Sequence, residues 1–180
     1  MLEDKLLVYK LKHGDEDALR QVYEKYKDDL RTIAGSLLHD TYVAEDVLHD
    51  VFVSFAESIG QFQLKVSLKS YLTACVVNRV RDEFRSKKSQ MIELDKAGPI
   101  SSNSERPEKS VMASERARLL TDALALIPFD QREVIVLRLK GGMKFKEIAK
   151  VQKTSLSTVQ GRYRYGLKKL RTVLDGQSEI

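Results

Sequence analysis

The last quarter of the chain restricts its fold more than any other feature does. An apolar-striped segment at 143–150 is followed by a tight turn at 151–154 and a longer basic segment at 155–171. Ser155 or Ser157 can cap this second segment, because a serine oxygen there accepts hydrogen bonds from the first free amides of a helix. Two helices joined by so tight a turn predict a helix-turn-helix, whose second helix can enter the major groove of DNA.

The polar face of the second segment combines two kinds of side chain. Hydroxyl, amide and guanidinium groups can read base edges, whereas lysines suit phosphates. Gly161 lies inside this segment, where a glycine lowers helix stability; close approach of another backbone would explain it, and so would chance. A helical hairpin with an ordinary solvated face would produce the same spacing, so the pattern alone leaves both interpretations open. The predicted DNA-binding residues are Ser157, Thr158, Gln160, Gly161, Arg162, Arg164, Lys168 and Lys169.

The net charge of +5 is unevenly distributed along the chain. Residues 115–175 contain 14 basic and 6 acidic residues, whereas residues 15–90 contain slightly more acidic than basic ones. A basic field confined to one segment favours a polyanion as the partner of that segment. We therefore expect the N-terminal part of the chain to have a different main partner.

The composition argues against several other classes of protein. No apolar run approaches the roughly 20 residues of a membrane span, and the N-terminus lacks a signal-peptide pattern. Cys75 is the only cysteine, and the three histidines have no metal-ligand spacing. The sequence also lacks a glycine-rich phosphate loop and a nucleophile–base signature. We expect a cytoplasmic protein without membrane insertion, without a metal or cofactor, and without enzymatic activity.

The spacing of apolar residues predicts an all-α fold of two small helical domains. An N-terminal helical bundle is expected at 1–86 and a C-terminal helix-turn-helix domain at 114–180. Residues 87–113 lose the periodicity and contain one Gly, two Pro and five Ser, which predicts a flexible linker. Such a linker has ends ~30 Å apart on average, about one DNA turn. The two domains could therefore engage separate DNA elements.

Several helix boundaries can be predicted from individual residues. Asp15 and Asp130 are expected N-caps, and Asp130 has Glu133 three residues later. The last helix of the N-terminal bundle is expected to run from 68 to about 85, with Phe84 facing the bundle core.

Two blocks of sequence resemble the sigma factors of bacterial RNA polymerase. The C-terminal block resembles region four and the N-terminal block resembles region two, in the family's order and separated by the predicted linker. No other sigma region is present, which is typical of the compact extracytoplasmic-function (ECF) group. The matching segments are Ala125-Leu-Ile-Pro128, Arg132-Glu-Val-Ile-Val-Leu137, Glu147-Ile-Ala149 and Thr158-Val159 through Leu170-Arg171 for region four, and Ala44-Glu-Asp-Val-Leu-His-Asp-Val-Phe52 with Tyr71-Leu72, Asn78, Asp82 and Arg85 for region two.

The resemblance implies that region two binds core RNA polymerase through the clamp helices of its largest subunit. It also implies contact with the polymerase flap and with promoter DNA, and it leaves room for an anti-sigma factor. Acidic groups can steer such an encounter, while neighbouring apolar area supplies much of the affinity. An ordinary solvated helix face is the alternative interpretation of the same acidic residues. The implied polymerase-binding residues are Glu45, Asp46, Leu48, His49 and Asp50.

The resemblance further implies that the segment after the third helix opens the promoter. A pocket for an unstacked base needs aromatic or polar walls and cations for the DNA backbone. Tyr71 stands where the family usually has Trp, and Ala74 and Val77 occupy positions that are often basic in the family. Core packing explains Phe62 and Tyr71 as well as base stacking does. The implied promoter-melting residues are Phe62, Gln63, Lys65, Tyr71, Asn78, Arg81 and Arg85.

The sequence thus predicts a sigma factor that directs promoter-specific transcription initiation. A conventional helix-turn-helix regulator with an N-terminal sensing or dimerisation bundle is the alternative. A third interpretation is an adaptor that uses the fold for protein contacts only, but the basic second helix argues against it.

Overall fold

The computed structural model describes residues 2–95 and 115–177. Within these ranges the chain forms eight α-helices and no strand, which confirms the predicted all-α fold. The N-terminal bundle comprises α1 to α4 and the C-terminal domain α5 to α8. The helices are α1 (Leu2–Lys12), α2 (Glu16–Leu38), α3 (Thr41–Ser58), α4 (Leu68–Asp95), α5 (Glu115–Ala125), α6 (Phe129–Leu139), α7 (Phe145–Val151) and α8 (Leu156–Gln177).

The core of the N-terminal bundle lies where α2, α3 and α4 pack together. Leu30, Leu48 and Leu72 are at most 2% exposed there, because each belongs to the apolar stripe of its helix and that stripe faces the core. Asp15 caps α2 by accepting a hydrogen bond from the amide of Ala18, which confirms that prediction. The packing of these apolar faces fixes the direction of α3 and α4, the two helices that carry the proposed N-terminal sites.

A buried carboxylate fastens α1 to α2. Asp4 is 5% exposed and accepts hydrogen bonds from the Tyr26 hydroxyl at 2.7 Å and the Lys25 Nζ at 2.9 Å. Burial by itself would raise the pKa of Asp4, but these two donors outweigh it and lower that pKa. Burial and the same carboxylate raise the pKa of Tyr26 to about 12, so its hydroxyl stays a donor.

The C-terminal domain is built around the contact between α6 and α8. Gly166 of α8 lies against α6 so closely that a Cβ there would be 2.9 Å from Ile135 Cδ1 and 3.1 Å from Gln131 Cβ. Ser155 precedes α8 and accepts a hydrogen bond from the Thr158 amide, which decides between the two predicted caps. The helix-turn-helix itself is α7, a short turn and α8, as predicted.

The prediction that Asp130 caps α6 was wrong. The helix begins at Phe129, with Pro128 at the cap position and without a side-chain cap hydrogen bond. Proline has a φ angle already suited to a helix start, so the helix begins earlier than an aspartate cap at 130 would require. The Asp130 carboxylate instead lies in the first turn and pairs with Arg162 of α8.

Helix α4 is longer than its apolar pattern predicted. It continues to Asp95 instead of ending near 85, because 86–95 contain good helix formers and neither Gly nor Pro. The remainder of the predicted linker, 96–113, lies outside the described residues. Phe84 was expected to face the bundle core, but its ring packs on Phe129 of the C-terminal domain with centroids 4.7 Å apart. The two domains are thus in direct contact.

Candidate nucleic-acid interface

The predicted DNA-reading face of α8 is largely open to solvent. Ser157, Thr158 and Gln160 near its start are exposed, as are Arg164, Lys168 and Lys169 further along. The opposite face is anchored by Val159 and Leu170, which are 0% and 8% exposed. An exposed polar stripe on a helix that is buried along its other side can be placed in a groove without unfolding the domain.

Gly161 and Arg162 differ from the rest of this face because both are partly buried. The Arg162 guanidinium donates to the Asp130 carboxylate at 2.6 Å and to the Gln152 side-chain oxygen at 2.8 Å. A Cβ added at Gly161 would meet no atom within 4 Å, so no protein contact accounts for this glycine. Arg162 would have to exchange its acidic partner before it could contact a base.

The segment between α3 and α4 forms a surface groove of about 530 Å³. Its floor is aromatic: the Phe62 and Tyr71 ring centroids are 4.6 Å apart, and Phe55 lies edge-on to Phe62 at 5.4 Å. Phe62 is only 9% exposed, so packing accounts for this ring without any ligand. Burial also raises the pKa of the Tyr71 hydroxyl. The rim is exposed; there Gln61, Gln63 and Lys65 offer polar contacts, and Val66 adds apolar surface.

The cations of α4 whose side chains the structure describes are engaged by acids of this chain. Arg85 pairs with Asp82 at 2.9 Å, and Arg79 pairs with Asp50 at 2.7 Å. These pairs are solvent-exposed and therefore weak enough to exchange for phosphates. Asn78 is exposed. Arg81, by contrast, is mostly covered and points to the C-terminal domain.

Four of the five predicted polymerase-binding residues lie on an accessible face of α3. Glu45, Asp46 and His49 are exposed, and Asp50 is half-buried beside Arg79. Leu48 is 2% exposed and faces the bundle core, so it supports this surface instead of forming it. The acidic face adjoins an apolar groove of about 490 Å³ between α2 and α3, lined by Leu19, Tyr23, His49, Phe52, Val53 and Ala56 among others.

Sequence reasoning missed a cluster of buried charges between the domains. Glu133 had no predicted role beyond a helix cap and the region-four resemblance, but its side chain is 0% exposed and accepts hydrogen bonds from Arg81. Burial raises the pKa of Glu133, and the hydrogen bonds and charge of Arg81 oppose this. Arg132 is 6% exposed and meets His39 of the N-terminal bundle. The sequence signal for this cluster was the pair of charged residues, Arg132 and Glu133, directly before the apolar run 134–137.

Neither a membrane-spanning helix nor a metal-binding cluster accompanies these surfaces in the described ranges. No helix in 2–95 or 115–177 is long and apolar enough to cross a membrane. No group of three or more His, Cys, Asp or Glu side chains in those ranges is placed to hold a metal ion.

Comparison with known proteins identifies the family. The family described as Sigma-70 region 2 matches residues 22–90, and the family described as Sigma-70, region 4 matches residues 117–170. The chain is 25% identical to the ECF RNA polymerase sigma factor SigW of Bacillus subtilis, over 93% of this chain and 94% of SigW. The chain belongs to the ECF sigma factors. It therefore directs transcription initiation, and the conventional regulator is not favoured.

Further relatives and solved structures agree with this sigma-factor assignment. The RNA polymerase sigma factor CnrH of Cupriavidus metallidurans is 26% identical over 98% of this chain and 96% of CnrH. The structure of CnrH with the cytosolic domain of CnrY has a TM-score of 0.69 at 24% identity, covering 97% and 98% of the two chains. The structure of RpoE with the anti-sigma factor NepR from Bartonella quintana has a TM-score of 0.70 at 22% identity, covering 87% of this chain and 96% of RpoE. These structures share the fold of this sigma factor.

Proposed function

We propose that this ECF sigma factor binds core RNA polymerase and promoter DNA through separate surfaces of its two domains. The α3 face with Glu45, Asp46, His49 and Asp50 contacts the clamp helices, and the C-terminal domain contacts the flap. The exposed face of α8 reads the upstream promoter element. The groove before α4 and the polar face of α4 hold the melted strand. The observation that carries this proposal is the division of the chain into matched regions two and four, each with an accessible polar face.

The α3 surface is supported by its chemistry. Exposed carboxylates next to an apolar groove provide steering and buried area together, which is what a stable protein interface needs. The polymerase supplies the reaction chemistry, and the sigma factor has no catalytic centre of its own. It acts in the cytoplasm, where the polymerase acts, and an anti-sigma factor is a further partner. Structures of CnrH with CnrY and of RpoE with NepR support this last point.

We propose the same division of roles that the sequence predicts, with polymerase binding and melting in 1–86 and upstream recognition in 114–180. Within the melting segment, the exposed rim of the groove makes the first contacts and the aromatic floor supports them. Gln63 and Lys65 are the rim residues best placed for this, because both are exposed next to Phe62.

Charge reversal on α3 tests the proposed polymerase surface. Asp46→Arg should weaken binding of the full chain to core RNA polymerase at least severalfold in a competition assay, because like charges across an interface are unfavourable. Glu24→Lys, at an exposed acid of α2 outside the proposed surface, is the matched control and should bind normally. Equal affinity of the two variants for core RNA polymerase would show that Asp46 is an ordinary surface residue outside the polymerase interface.

A further inference from the structure

A buried carboxylate of α6 holds Arg81 of α4. Glu133 accepts hydrogen bonds from Arg81 Nε at 3.0 Å and from Arg81 Nη2 at 2.5 Å. Its side chain is fully buried, and that of Arg81 is 21% exposed. A two-point contact of this kind is also how a guanidinium group binds a phosphate. The N–H groups that Arg81 donates to Glu133 are therefore the same ones that it would donate to a phosphate of the DNA backbone.

The same arginine also reaches the helix-turn-helix. Arg81 Nη1 donates to the backbone carbonyl of Val151 at 2.7 Å, and Val151 is the last residue of α7. The carbonyl end of a helix carries partial negative charge, so a cation is stabilised there. Arg81 thus connects the proposed melting helix to the DNA-reading motif of the other domain.

The hydrogen bonds continue from Glu133 to the recognition helix. Gln152 donates from Nε2 to Glu133 at 3.2 Å and accepts at Oε1 from Arg162 at 2.8 Å. Arg162 in turn donates to Asp130 at 2.6 Å. One arginine of each proposed DNA surface is therefore held in a single network, centred on two acids of α6.

Apolar and polar contacts beside this network bring the domains together. The rings of Phe84 and Phe129 pack edge to face across the boundary, with 4.7 Å between centroids. Arg132 of α6 meets His39 at the end of α2. The arrangement in which the two domains touch, called closed below, thus combines a desolvated ion pair with an aromatic contact. Neither contact lies on the outward face of α8.

We propose that these contacts form an intramolecular latch, defined by Arg81, Glu133, Phe84 and Phe129, that lowers the affinity of the free sigma factor for promoter DNA. This inference rests on the proposed DNA-binding roles of α4 and α8. Arg81 cannot bind Glu133 and a phosphate with the same donors, so DNA and the latch compete. A closed form that outnumbers the open form by about ten to one would weaken the apparent affinity about tenfold.

Two variants of the full chain open the latch from opposite sides. Phe84→Ala removes a contact on α4 and leaves the whole C-terminal domain unchanged. Glu133→Gln keeps the shape of the buried side chain and removes its charge. Asp175→Asn is the matched control, because it also removes one negative charge. Asp175 is an exposed acid near the end of α8, and its carboxylate pairs only weakly with Arg171.

The probe is a labelled forked DNA of mixed sequence, with a duplex of roughly two helical turns and a single-stranded extension. Fluorescence anisotropy at low salt gives its affinity, and small-angle scattering gives the radius of gyration of each chain. The latch predicts a larger radius and severalfold tighter binding for Phe84→Ala and Glu133→Gln, with neither change in Asp175→Asn.

The outcomes separate the latch from the proposed function. An unchanged radius in both opening variants overturns the latch, as does a larger radius with unchanged affinity, and DNA binding by the wild type would still stand in either case. Tighter binding by Asp175→Asn to the same degree would reduce the effect to net charge and also overturn it. If no chain binds the fork at low salt, the proposed DNA surfaces fail and the latch fails with them.

Discussion

Two glycines of α8 allow the same substitution to be tried in opposite environments. Gly161 lies on the proposed DNA face, where an added Cβ would have no atom within 4 Å, whereas Gly166 lies against α6. Alanine is favoured over glycine in a helix interior by about 0.8–1.0 kcal/mol, and this gain is common to both sites. The difference between the two variants therefore reports the space at each site.

The magnitudes follow from the contacts. Gly161→Ala should raise the free energy of unfolding by about 0.5–1 kcal/mol, because the new methyl group meets nothing. At Gly166 the methyl group would stand 2.9 Å from Ile135 Cδ1, which can rotate away, but also 3.1 Å from Gln131 Cβ and 3.4 Å from the Gln131 carbonyl oxygen, which are held by the α6 backbone. Overpacking of this kind costs about 1–3 kcal/mol, so Gly166→Ala should be destabilising by up to about 2 kcal/mol after the helix gain.

Urea unfolding of the full-length variants, followed by circular dichroism, measures both effects. A midpoint above the wild type for Gly161→Ala and below it for Gly166→Ala is expected. If Gly166→Ala were as stable as Gly161→Ala, the close approach of α6 and α8 would be refuted. Because Gly161 has no packing role in the free protein, we also expect Gly161→Ala to weaken binding to the upstream element despite its greater stability.

Three further perturbations test other parts of the structure. Asp4→Ala should lower the free energy of unfolding by about 1–3 kcal/mol, because the buried Tyr26 hydroxyl loses its acceptor; a loss below about 0.5 kcal/mol in urea unfolding would contradict this. Burial and the neighbouring Arg132 lower the pKa of His39 to about 4 from 6.5. As the pH falls, the imidazole is therefore protonated in the unfolded chain before it is protonated in the folded one, so the free energy of unfolding should fall as pH drops from about 6.5 towards 4. His39→Gln should flatten that slope in thermal unfolding, and an unchanged slope would refute the contact. Lys168→Ala should weaken DNA binding alike for all sequences and reduce the salt dependence, and sequence-selective loss in anisotropy titrations would contradict a phosphate contact.

Local features of this fold could be predicted from the sequence. The apolar stripes predicted the helices, Asp15 predicted the start of α2, and the serine before α8 was one of two predicted caps. Each of these depends on residues within a few positions of one another, where spacing is informative. The exposure of most α8 residues follows in the same way, since burial of one face leaves the other in solvent.

The interdomain contacts could not be predicted by such reasoning. Arg81 and Glu133 are 52 positions apart and on opposite sides of the predicted linker. Periodicity places Phe84 on the apolar face of α4, but it does not reveal that the ring packs on the other domain. Asp130 matched a cap pattern, and only the structure shows Pro128 in that position and the carboxylate bound to Arg162. Non-local pairing, unlike helix formation, has no short sequence signature.

Transcription in vitro tests the central claim most directly. Purified sigma factor and bacterial core RNA polymerase would transcribe fragmented genomic DNA of the source organism, and the RNA 5′ ends would be mapped. The account predicts starts that require the sigma factor and that share two upstream sequence elements, one read by α8 and one melted by the α3–α4 segment. Starts identical to those of core polymerase alone would contradict it.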